Sequence, residues 1–109
     1  MRDEDRQFLN GQMGAFVRAG ISRSAHSGNT IYHYSVEVDD LKNSTGRQRL
    51  PTGFIDECVD FFEKRGASAH YDESSDSLNV RVDMDVVRLN AREAEALTEA
   101  QDLFRMSVG

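Results

Sequence analysis

Tryptophan is absent from this chain of 109 residues, and cysteine and proline occur once each. A single Cys58 permits no internal disulfide, so the fold has to be held by a core. The apolar runs are all too short for a signal peptide or a membrane span. The expected setting is therefore soluble and cytoplasmic, with no membrane partner. Positive charge is also scarce. The formal charge is −6, divided as +1 over residues 1–50 and −7 over residues 51–109. That balance makes nucleic acid an unlikely partner, because a general binder neutralises phosphates with a basic surface. The motifs of catalysis are missing too: there is no G-x-S-x-G, no glycine-rich phosphate loop, no C-x-x-C and no H-x-x-x-H. No enzyme activity and no cofactor are expected on those grounds.

What is present is a strong periodic pattern between Thr52 and Val86. Phe54, Ile55, Cys58, Val59 and Phe62 recur at helical spacing, with Asp56, Glu57, Asp60 and Glu63 on the opposite side. Thr52 is the expected cap and Gly66 the expected left-handed stop. Phe61 lies at the edge of the stripe and should be half covered. After Gly66 the period becomes two. Ala67, Ala69 and Tyr71 alternate with Ser68 and His70. Leu78, Val80, Val82, Met84 and Val86 alternate with Asn79, Arg81, Asp83 and Asp85. The acidic, serine-rich run between them is a turn by composition. This predicts an antiparallel hairpin with one wet face.

The first half reads as a fainter copy. Phe8, Leu9, Met13 and Phe16 suggest a helix ending at Gly20, although a single strand over residues 14–25 competes with it. Ile21–His26 is then predicted as a short strand and Thr30–Asp39 as a longer one, with Tyr32, Tyr34, Val36 and Val38 on its apolar face. Ser24-Ala25-His26 stands 44 positions before Ser68-Ala69-His70, a spacing shared by Val36–Asp39 and Val80–Asp83. The pattern suggests a doubled helix–hairpin unit over residues 3–39 and 52–86. Asp40–Leu50 is predicted to be a loop carrying Lys42, Arg47 and Arg49. The last helix, residues 91–106, opens on a capping box of Asn90 and Glu93 and buries Ala96, Leu97, Ala100, Leu103 and Phe104. The expected fold is thus a single α+β domain. It is a two-layer sandwich with about four antiparallel strands, helices on one face, and element order α-β-β-α-β-β-α.

Gly53-Phe54-Ile55-Asp56 resembles the centre of the motif that names the LAGLIDADG homing endonucleases, and the order helix-hairpin-helix-hairpin-helix resembles that family's core. The resemblance covers four residues of motif. In register the family's metal-binding acid falls on Cys58 and its small residue on Val59, so the metal role does not carry over. The order of elements also resembles the small acidic dimeric chaperones of type III secretion.

By alternation, His26, His33 and His70 fall on the polar sheet face together with Glu37, Arg81 and Asp83. The leading expectation is a non-enzymatic protein-binding module, an adaptor, chaperone or phage-type inhibitor, that acts as a homodimer paired through its sheet edges and offers that face to a protein partner. The alternative is a nucleic-acid contact through the basic loop 42–49, with Lys42, Arg47 and Arg49 as the contacts. A third reading is a small metal-dependent enzyme on the histidine face, with Glu37 or Asp83 as a further ligand.

Overall fold

The computed structural model describes residues 1–108. It is an α+β fold in the order α1 (Asp3–Ser27), β1 (Ile31–Glu37), α2 (Val38–Ser44), α3 (Phe54–Glu63), β2 (Ser68–Asp72), β3 (Ser77–Asp83) and α4 (Ala91–Val108). The sheet has three antiparallel strands in the order β1-β3-β2, not four. Its inward-facing residues Tyr32, Val36, Leu78, Val80 and Val82 pack against Leu9, Met13, Phe16 and Val17 of α1 and Phe54, Cys58, Phe61 and Phe62 of α3 in one continuous core. Stacked rings run through it. Phe16 lies flat on Tyr34 at 4.6 Å, and Phe62 meets Phe16 at 6.3 Å and Phe61 edge-on at 5.6 Å.

The fourth strand, expected over residues 21–26, is helix, because Gly20 does not break α1. Residues 21–26 are the last turns of α1, which runs for 25 residues. Gly20 does not end the helix. It sits inside it, where a Cβ would come within 2.6 Å of the Met84 sulfur, so the glycine is there to let the sheet's end approach. The Ser24 hydroxyl donates back to the Gly20 carbonyl at 2.8 Å. The true stop is Gly28, at φ 70°. Ser24-Ala25-His26 is therefore helical and Ser68-Ala69-His70 a strand, and the two halves fold differently: a helix and one strand first, a helix and a hairpin second.

Two other boundaries move. The strand expected to reach Asp39 stops at Glu37, because Val38 and Leu41, one helical turn apart, bury together in α2. The expected loop of residues 40–50 thus begins as a helix. α3 starts at Phe54 from Gly53, at φ 82°, rather than from a Thr52 cap. Phe61 is buried rather than half covered, under the Arg65 guanidinium at 3.5 Å from its ring. The capping box of α4 is present in both directions, at 3.0 and 2.8 Å. α4 packs beside the second half of α1. A Cβ on Gly28 would meet the Phe104 ring, whereas Leu103, expected inside, is exposed along with Met106 and Val108. No helix is long and apolar enough to cross a membrane among the described residues.

Candidate functional site

Strand alternation places one set of side chains on the sheet face away from the helices. Register then sorts them into rows across β1, β3 and β2. Ile31 faces Asp83. Next come His33, Arg81 and Ser68, then Ser35, Asn79 and His70, then Glu37, Ser77 and Asp72. The face is wet: Ile31, His33, Ser35, Glu37, Ser68, His70 and Arg81 are all exposed, and only Ser77 is buried. Arg81 and Asp83 make no ion pair among the described residues.

The structure brings together most of the polar residues assigned to this face, but not all of them. His26 lies in the last turn of α1 and Ser24 is buried in the same helix, so neither belongs to the sheet. His33 and His70 are on the two outer strands with β3 between them. They are therefore two strand spacings apart across the sheet and one row apart along it, roughly 12 Å in all, instead of adjacent. Among the described residues no three of His, Cys, Asp and Glu come together as metal ligands.

The basic segment divides in two. Arg47 is folded inward onto Asp5 of α1, a fully buried carboxylate. Its Nη2 donates to Oδ2 at 2.8 Å and its Nε to Oδ1 at 3.3 Å, while the Arg2 backbone N–H donates to Oδ2 at 2.8 Å. The guanidinium also stacks over Phe54 at 4.6 Å. Arg47 thereby ties the α2–α3 connection to the start of α1 and α3. Sequence reasoning missed Asp5. Its only signal was an acidic first turn, in which Asp3 and Glu4 are exposed and look the same. Lys42 and Arg49 stay outside. With Val38, Leu50, Ile55, Tyr71 and Asp76 they line an open cleft of about 340 Å³.

Cys58 occupies the position where the endonuclease resemblance puts a metal-binding acid, and its chemistry is different. The thiol is fully buried. Burial foremost, with the nearby charges of Asp5 and Glu57, pushes its pKa up to about 12. A protonated, enclosed thiol is neither a nucleophile nor a ligand. A thiol reagent at pH 8 is expected to leave native protein unlabelled and to label it stoichiometrically in denaturant. Rapid labelling of the folded chain means that Cys58 is open to solvent.

No protein-family model matches the chain, and no curated protein and no solved structure matches it.

Proposed function

We infer that this chain is a cytoplasmic, non-enzymatic protein-binding module that works as a homodimer and presents its uncovered sheet face to a protein partner. One observation carries the reading: three strands align His33, Glu37, His70, Arg81 and Asp83 on a solvent-exposed face, with all the covering helices on the other side. An antiparallel sheet tolerates one wet face without a partner. What favours binding here is Arg81 and Asp83 on the central strand, neither of them in an ion pair among the described residues, flanked by imidazoles and hydroxyls. Such charges select and steer a partner more than they supply affinity. The homodimer rests on the β1 edge of the sheet, which leaves the β2 edge free. β1 and β2 each pair only with β3, and β1 carries neither proline nor lysine to discourage edge pairing.

The test is a charge swap. A photo-crosslinking residue at His33 should trap a heteromeric adduct in cells. Arg81→Glu with Asp83→Lys should abolish the adduct and leave the melting temperature nearly unchanged. An adduct that survives the swap sinks the platform. Light scattering at high micromolar concentration should give twice the mass of one chain, and a single-chain mass there removes the dimer. Contact with nucleic acid through residues 42–49 is left with Lys42 and Arg49, because Arg47 is spent on Asp5. Salt-independent failure to retain DNA or RNA disposes of it.

A further inference from the structure

The cleft beside the hairpin tip is separate from the open face. None of His33, Glu37, His70, Arg81 or Asp83 lines it. Its walls come from four places. Val38 and Lys42 project from α2, Arg49 and Leu50 from the connection, Ile55 from α3, and Tyr71 from β2, with Asp76 at the tip. Asp76 is the one residue other than glycine in the left-handed region among the described residues, at φ 49°. That conformation is held from both ends. Its carbonyl accepts the Val38 N–H at 3.0 Å, and its carboxylate accepts the Tyr71 hydroxyl at 2.5 Å. Strain of this kind persists only where the surroundings over-determine it. The cleft wall is therefore pinned, and the one carboxylate in it is already hydrogen-bonded.

Two cations are left over. Lys42 and Arg49 make neither an ion pair nor a side-chain hydrogen bond among the described residues, in a chain whose formal charge is −6. The same cleft is lined by Val38, Leu50 and Ile55, which are aliphatic. The site therefore offers positive charge beside apolar surface, the complement of a carboxylate next to an aliphatic side chain. The shape decides the kind of ligand. Small molecules favour enclosed sites that bury most of their surface, and this cleft is open. Beside it runs the outer edge of β2, which pairs with β3 on one side only, so its outward N–H and C=O groups are available to another extended chain. An added strand draws affinity from main-chain hydrogen bonds and specificity from alternate side chains in pockets.

We propose that the outer edge of β2 and this cleft bind an extended acidic peptide segment, with an aliphatic side chain against Val38, Leu50 and Ile55 and a carboxylate on Lys42 and Arg49. The β2 edge and the cleft form a second ligand surface, distinct from the platform of the open face.

Selection from a random dodecapeptide library on the full chain tests it. The expected consensus alternates aliphatic residues with Asp or Glu. The selected peptide should weaken at least about tenfold on the Lys42→Glu, Arg49→Glu variant, from the loss and reversal of two ion pairs, and less on Lys42→Ala, Arg49→Ala. It should bind the Arg81→Glu, Asp83→Lys variant as it binds the native chain, which separates this site from the sheet face. Both cleft variants should melt with the native protein, since neither side chain has a partner to lose. Amide shifts on titration should centre on Lys42, Arg49, Tyr71 and the β2 strand. Failure to enrich any sequence overturns the proposal, as does a selected peptide indifferent to charge reversal. Octanoate is the second probe. If it moves the cleft amides while no peptide is enriched, the cleft belongs to a small acid and the peptide assignment is wrong.

Discussion

Asp5→Ala is expected to lower the unfolding free energy by about 3 kcal/mol at pH 7, the low end of the cost of breaking a buried ion pair, because Arg47 keeps some contact with water. The loss has a pH signature. Burial by itself pushes the Asp5 carboxyl up. The hydrogen bonds from the Arg47 side chain and the Arg2 amide, with the positive charges behind them, outweigh burial and hold it below the ordinary carboxylate value. A depressed carboxyl stabilises fully above the range where it would titrate in the unfolded chain, and the contribution is lost as pH falls through its folded value. Urea unfolding of native and variant chains should therefore differ most at neutral pH and converge in acid. A constant gap down to pH 2, or a gap below about 0.5 kcal/mol at pH 7, means that the pair does not hold the connection in place. The consequence reaches the cleft: Arg47 lies between Lys42 and Arg49 in sequence, so loosening it should also weaken the peptide selected there.

Phe62→Ala should cost still more, about 3–5 kcal/mol. The ring is fully buried between Phe16 of α1 and Phe61 of its own helix, so truncation opens a cavity where α1, α3 and the sheet meet. That is a large part of the roughly 5–15 kcal/mol that holds a small domain together. The variant is expected to unfold at markedly lower urea with an unchanged slope. A loss below about half a kcal/mol would mean that the phase of α3 against the sheet is wrong.

The local pattern was most legible where a segment is amphipathic over its whole length. Phe54, Cys58 and Phe62 on α3, Leu78, Val80 and Val82 on β3, and the reciprocal cap of Asn90 and Glu93 on α4 lie where their spacing puts them. In each case solvent on one side and core on the other leave a single periodicity that fits. The first half lacks that clarity. α1 contains three glycines and ends in Ser, Arg, Ser, Ala, His and Ser, so neither its length nor its face stands out. Gly20 is the clearest case. A glycine after an apolar helical run signals a helix end, and only its approach to Met84 reveals a close packing contact inside a continuing helix.

The α+β class and the alternation that separates Leu78, Val80 and Val82 from Asn79, Arg81 and Asp83 were determined by the sequence itself, since residue type and period act locally. Tertiary structure decided the partners. Only the strand order β1-β3-β2 puts β3 between His33 and His70, and only the folded chain turns Arg47 inward to Asp5 while leaving Lys42 and Arg49 in the cleft. Arg47 and Arg49 are the same residue two positions apart. What distinguishes them is a desolvated carboxylate from the far end of the chain, and no local pattern encodes which cation will meet it.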